Sequence, residues 1–236
     1  MVYGRMARLW QLLYNPGCLL CGQRSHSHRE LCAICMRELS WNRHCCSVCA
    51  APLPEQSPIR RCGECLKAPP VWDDAYSPLL YAWPLNQLLQ RFKFNSDLAT
   101  GKLLGELLAE YLAAGCSTRP DLLLPVPLHA ARLRQRGFNQ ARELARPVAR
   151  RLRLSIAHPG VCVRIKDTAV QSKLDAAARH RNLRSAFQVN LSLAGAHLAI
   201  LDDVLNTGAT ALATALQQAG AARVQVWCLA RAVRNI

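Results

Sequence analysis

The chain has 236 residues, 30 of them Lys or Arg against 15 Asp or Glu, for a formal net charge of +15. A hydrophobic share of 51% excludes a disordered chain and allows one large or two small domains, and no unbroken apolar run of about 18 residues is present to span a membrane. Arg outnumbers Lys 25 to 5. Guanidinium forks match phosphate geometry, so one reading is a phosphate-bearing partner; the other is a solvated basic surface.

Met1 to Pro16 carries Arg5 and Arg8, and its apolar stretch is interrupted by Gln11 and Asn15. Without an h-region or a small-residue cleavage site the expected location is cytoplasmic, where thiols stay reduced. The 12 cysteines therefore call for metal or redox chemistry rather than disulfides. Four CxxC pairs follow one another: Cys18 and Cys21, Cys32 and Cys35, Cys46 and Cys49, Cys62 and Cys65. One CxxC turn aims two thiolates at one tetrahedral ion, and two turns complete a closed four-sulfur shell. Eight ligands predict two structural zinc ions. A single zinc, an iron–sulfur cluster or a redox site are the alternatives. Pairing in sequence order is the simplest arrangement, a crossed one the other. Cys45 is a possible substitute ligand, while His26, His28 and His44 read as surface residues. Cys116, Cys162 and Cys228 stand alone in apolar surroundings and read as buried free thiols. Residues 18–65 hold few large apolar side chains, so metal binding is expected to supply their folding free energy.

Lys67 to Val71 reads as a linker, and the acidic pair Asp73-Asp74 as part of it. Leu98, Leu103, Leu104, Leu107, Leu108 and Leu112 have the spacing of one helix face that ends at Gly115. Asp121 to Val126 predicts a short buried strand. A helix from Phe138 to Leu154 follows, kinked or broken at Pro147. Val161–Ile165 predicts a second strand, Lys173–Ala186 a mostly helical stretch, and His197–Leu201 a third strand. A Gly208–Ala219 helix and an Arg223–Ala230 strand close the series. Strands alternating with helices predict a parallel α/β sheet.

The segment from Leu198 to Thr210 carries the most chemistry. An apolar strand ends in Asp202 and Asp203, and a small-residue loop then opens a helix. In a parallel sheet that puts both acids at the carboxyl edge, where ligands bind. The loop Asn206, Thr207, Gly208, Ala209, Thr210 offers amides and hydroxyls at the positive end of a helix, a cradle for an anion. Carboxylates beside such a cradle suit a ribose 5-phosphate. No GxxxxGK[ST] or GxGxxG loop occurs, which disfavours a P-loop NTPase or a dinucleotide fold.

These thirteen residues resemble the signature of type I phosphoribosyltransferases, which bind phosphoribosyl pyrophosphate (PRPP). The resemblance implies that Asp202 and Asp203 contact the ribose hydroxyls and that the loop from Thr207 to Thr210 holds the 5′-phosphate; Asn206 departs from the usual Thr or Ala. Pro125 to His129 is similar to the family's first strand and pyrophosphate loop. With the four CxxC pairs, the run Arg134-Gln-Arg136-Gly-Phe-Asn-Gln140 resembles the ComF/GntX family of competence-related proteins. Arg91-Phe-Lys93-Phe94, Thr168 with Gln171, and Arg181-Asn182 with Ala186-Phe187 are further matches. The implied architecture is a double zinc ribbon (1–66), a linker and helical segment (67–120), and a phosphoribosyltransferase-like α/β domain (121–236). The implied ligands are PRPP with Mg²⁺, with Arg134, Arg136 or Lys93 neutralising pyrophosphate. Residues 166–181, with Lys166, Gln171, Lys173, Arg179 and Arg181, are either a closing loop or a solvated basic one. The expected function is phosphoribosyl transfer linked to DNA uptake or use of external DNA. The alternative is a PRPP- or single-stranded-DNA-binding module without turnover, contacting DNA-uptake proteins. No acceptor pocket is legible.

Overall fold

The computed structural model describes residues 17–25, 29–55, 58–167, 185–205 and 207–232. The readings made for Met1–Pro16, His26, His28, the 168–184 part of the basic and helical stretches, and Asn206 lie outside these residues.

The core is a sheet in which all strand pairs are parallel, in the order β1-β8-β7-β3-β4, with β2 continuing beside β8. The strands are β1 (Asp74–Tyr76), β2 (Leu79–Leu80), β3 (Leu122–Pro125), β4 (Ser155–Ile156), β7 (His197–Leu205) and β8 (Arg223–Arg231). β7 and β8 are buried along nearly their whole length, as central parallel strands covered on both faces are. This is the α/β architecture the alternation predicts. Three of its strands were not legible, β2 (Leu79–Leu80) among them. β4 is two residues long, and β1 contains Asp74.

The Asp73-Asp74 pair is not linker. Asp73 accepts from the Val224 amide at 2.9 Å and Asp74 from Arg223 at 2.6 Å, which seats β1 on the sheet edge. The strand expected at Val161–Ile165 forms as β5 (Cys162–Arg164) but leaves the parallel sheet, pairing antiparallel with β6 (Phe187–Val189) in a separate ribbon. Three residues of alternating character state a strand and not its partner.

Helices α1 (Ala33–Glu38) and α2 (Gly63–Lys67) lie in the cysteine-rich part; α3 (Leu85–Phe94) and α4 (Leu98–Gly115) follow. Asp97 caps α4 by accepting from the Thr100 amide at 3.0 Å, and Leu103, Leu104, Leu107, Leu108 and Leu112 are buried while Leu98, at the open first turn, is exposed. The expected Phe138–Leu154 helix is α6 (Gln140–Leu152), which runs through Pro147 without a break. Residues 130–136 form a separate short helix, α5 (Ala130–Arg136), stopped by Gly137 at φ 81°. The Arg-rich 132–153 stretch is thus two helices with a left-handed turn between them, a conformation Gly adopts without steric cost. Helix α7 (Thr207–Gln218) connects β7 to β8.

The cysteine-rich part shares the sheet's core: Cys18, Leu31, Leu39 and Ala50 belong to the same buried cluster as Leu79 and Leu104. Buried Asn42 ties it further, donating to Ala50 O at 2.9 Å and Ser77 O at 3.2 Å. No helix among the described residues is long and apolar enough to cross a membrane.

Candidate functional site

β3 and β7 are paired neighbours whose chains leave in opposite directions, β3 toward β4 and β7 toward β8. A crevice opens where parallel strands part in this way, and ligands of open α/β sheets bind there. β3 ends at Pro125 opposite Leu201, while β7 runs on to Leu205, so Asp202 and Asp203 stand beyond the end of β3 at the carboxyl edge.

They line a cavity of about 340 Å³. Gly208, in the first turn of α7, lies beside them; Lys93 and Phe94 come from α3, Arg132 and Arg136 from α5, and Arg164 from β5. Both acids are only 8% exposed. Asp203 pairs with the Lys93 ammonium, and its amide donates to Asp202 Oδ1 at 2.9 Å. Burial, and then the neighbouring Asp203 charge, push the Asp202 carboxyl well above its ordinary range. The Arg136 guanidinium stacks over the Phe94 ring at 5.7 Å, and that of Arg164 over Phe187 at 5.7 Å. Arg132 and His129 both approach Asp167, at 3.5 and 3.8 Å.

The structure therefore gathers Asp202, Asp203, Lys93, Arg136 and Gly208 around one space. Ala209 is buried, and Thr210, whose carbonyl accepts from the Thr214 hydroxyl at 3.0 Å, lies in the same helical turn without lining the cavity. Thr207 begins the helix. Arg134 is exposed and off the cavity wall. The reason is helical geometry: on α5, residues 132 and 136 share a face and residue 134 does not. That spacing was available in the sequence once the stretch is seen as a helix, and it selects Arg132 over Arg134. Arg164 carried no such signal, being one polar residue in a short strand.

The eight predicted sulfur ligands fall into two sets, Cys18, Cys21, Cys32 and Cys35, and Cys46, Cys49, Cys62 and Cys65, each with its sulfurs within 4.8 Å of one another. Cys21 and Cys32 Sγ are 3.8 Å apart, Cys49 and Cys62 Sγ 3.6 Å. A tetrahedron of Zn–S bonds near 2.3 Å has edges of about 3.8 Å, so both sets fit a structural zinc, paired in sequence order. Cys35 and Cys62 amides donate to Cys32 and Cys46 sulfurs at 3.4 and 3.3 Å. Cys45 is in neither set; its thiol faces Tyr111. His44 is likewise outside both. Cys162 and Cys228 are buried free thiols as expected, and Cys116 is half-buried, donating to Thr118 O at 3.2 Å.

A double zinc ribbon joined to a parallel-sheet α/β domain is the class these features define. Residues 9–66 match the family model described as double zinc ribbon domain. The DNA utilization protein YhgH of Salmonella typhimurium is 39% identical over 229 residues, covering 93% of this chain and 99% of that protein. Competence protein F of Haemophilus influenzae is 33% identical over 231 residues, with 93% and 98% covered. The chain belongs to the ComF/GntX family. Among solved structures, the allosteric regulatory enzyme of purine biosynthesis is similar over 55% of this chain and 26% of that one, at 16% identity and a TM-score of 0.36.

Proposed function

We propose that the cavity binds PRPP with Mg²⁺ and that the protein works in the cytoplasm as a phosphoribosyltransferase-type protein in the uptake or use of external DNA. The observation that carries this is the polarity of the cavity. Asp202, Asp203 and Gly208 of the first turn of α7 line it together with Lys93, Arg132, Arg136 and Arg164. Such a site suits a ligand with a diol and phosphates at separate places. Asp202 and Asp203 hold the ribose hydroxyls, and the turn from Thr207 to Thr210, with Asn206 before it, holds the 5′-phosphate. The arginines and Lys93 take the pyrophosphate. Mg²⁺ bound with the ligand would supply further positive charge to its phosphates beside Lys93 and the arginines.

In the transferase reading the bond from the anomeric carbon to the pyrophosphate oxygen breaks while the acceptor's lone pair forms a new bond at that carbon. Fixed positive charge around the departing pyrophosphate stabilises it. The names of the relatives, DNA utilization protein and competence protein F, support the biological setting. Incubation with PRPP, Mg²⁺ and candidate bases, followed by an assay for released pyrophosphate, tests turnover; release that depends on both PRPP and a base is expected, and its absence with every base removes the enzyme reading.

A second reading, a module that holds PRPP or single-stranded DNA without turnover, is favoured by Trp83 and Phe94, which are 60% and 74% exposed. Exposed rings beside cations stack bases. Titration with single-stranded DNA at several salt concentrations decides it: log K should fall with log salt as phosphates are neutralised, and a flat response contradicts it.

A further inference from the structure

The first zinc-ligand turn touches the helix that carries Lys93. The backbone carbonyl of Leu19, between the ligands Cys18 and Cys21, accepts a hydrogen bond from the Arg91 guanidinium on α3. The other arm of the same guanidinium donates to Asp97 Oδ2 at 2.9 Å. Asp97 in turn caps α4, where its two carboxylate oxygens also accept from the Thr100 amide and hydroxyl. Two residues beyond Arg91, Lys93 pairs with Asp203 in the cavity. One side chain thus joins the first four-sulfur set, the last turn of α3 and the start of α4.

We propose that Arg91 is a positioning residue that couples the first four-cysteine site to the cavity: metal held by Cys18, Cys21, Cys32 and Cys35 fixes the Leu19 carbonyl, and through Arg91 this sets where Lys93 and Phe94 stand. The consequence for ligand affinity rests on the PRPP reading given above; the mechanical coupling does not.

The turn that offers the carbonyl is built around the sulfurs. The Cys18 amide donates to Gln23 O at 2.7 Å and the Gly22 amide to Cys18 O at 2.8 Å, while the Leu19 amide donates to Glu30 O at 2.9 Å. The Leu19 carbonyl is thereby aimed as long as Cys18 and Cys21 share an ion. Loss of the ion unties this turn from the Cys32–Cys35 turn and loosens it, leaving its backbone hydrogen bonds and its packing on the core to hold the rest. α3 does not fall apart with it: Leu85, Leu88, Leu89 and Phe92 are fully buried. The end of the helix after Phe92, bearing Lys93 and Phe94, is the part released.

The second set is tied elsewhere among the described residues. Its ties run to the sheet edge, where the Ala75 amide donates to Ser47 O at 3.2 Å and Trp72 Nε1 to Val48 O at 2.6 Å. The two sets also differ in access: Cys21 is exposed, whereas Cys46, Cys49 and Cys65 are buried. Coupling to the cavity therefore belongs to the more accessible set.

The test compares the full-length wild type with Arg91→Ala, Arg91→Lys, Cys21→Ser, Cys62→Ser and the Arg91→Ala/Cys21→Ser double variant, with zinc content measured for each. Hydrogen exchange of residues 85–95 needs no ligand. Arg91→Ala and Cys21→Ser should each speed it by roughly tenfold, a common size for coupling between sites, while residues 140–152 stay protected. Arg91→Lys should restore most of the protection, Cys62→Ser should leave residues 85–95 unchanged, and the double variant should be no worse than either single one. Arg91→Ala should keep its zinc. PRPP with Mg²⁺ should bind about tenfold more weakly to both single variants and no more weakly still to the double. Unchanged exchange at 85–95, or effects that add in the double variant, overturns the coupling. If Cys21→Ser unfolds more than the ribbon, the contrast of Arg91→Ala with Arg91→Lys decides. If the wild type binds no PRPP, the PRPP reading falls and exchange alone judges the coupling.

Discussion

Asp202 is a carboxyl that water scarcely reaches, set beside a second acid that itself pairs with Lys93. Its proton is held more tightly in the folded chain than in the unfolded one, where the ordinary value is 3.8. Its contribution therefore favours the fold below that value and is lost as pH rises through the raised folded value. Asp202→Asn keeps the oxygen that accepts from the Asp203 amide and removes the buried charge. We expect it to raise stability near neutral pH by about 1 kcal/mol, roughly 2–4 °C in Tm for a chain of this size, and to flatten the decline with pH, while weakening PRPP binding. Melting curves from pH 4 to 8 check this; a lower Tm for the variant contradicts it. In the same cavity, Arg132→Ala or Arg164→Ala should weaken inorganic pyrophosphate binding roughly tenfold to hundredfold, the scale of one charge-assisted hydrogen bond. Arg134→Ala should cost less, since Arg134 is off the wall. Equal losses at all three positions would mean that pyrophosphate is held by general charge rather than by these side chains.

At the scale of elements, the close crossing of α4 and α6 depends on Gly105. A Cβ there would stand 2.9 Å from Pro147 Cγ and 3.1 Å from the Leu144 carbonyl. Both neighbours are rigid, one a proline ring and one backbone. Gly105→Ala should therefore destabilise by about 1–3 kcal/mol despite the better helix propensity of Ala. Urea unfolding measures it, and a gain in stability would show that the helices can separate freely. The ribbon responds to a different agent. Chelation should strip two zinc ions per chain and expose residues 17–67 to protease, because the second set has only a small apolar cluster of its own and the first touches the main core through few side chains. Retained protease resistance after complete zinc loss would contradict metal-dependent folding.

For the whole molecule, what could be read in the sequence was whatever repeats or has a fixed spacing. The four CxxC pairs announce eight metal ligands, though not which pair joins which, and the apolar runs at 121–126, 197–201 and 223–230 announce central strands. The acid pair at the end of such a run marks the carboxyl edge. What could not be read depends on long-range pairing. β1 hides in an acidic stretch because its burial comes from β8, about 150 residues later. The second expected strand has the right character, but its partner is β6 and not the main sheet. Arg164 reaches the cavity only because that ribbon stands where it does. Arg132 was legible in principle, through the i, i+4 spacing with Arg136, once Gly137 is seen to end a helix.

Calorimetric titration of the zinc-loaded full chain with PRPP in the presence of Mg²⁺, repeated with Asp202→Asn/Asp203→Asn, bears most directly on the cavity's role. The account predicts saturable binding near one PRPP per chain, abolished in the double variant while the zinc content and the fold persist. Absence of binding by the wild type, or binding that survives the loss of both acids, would contradict it.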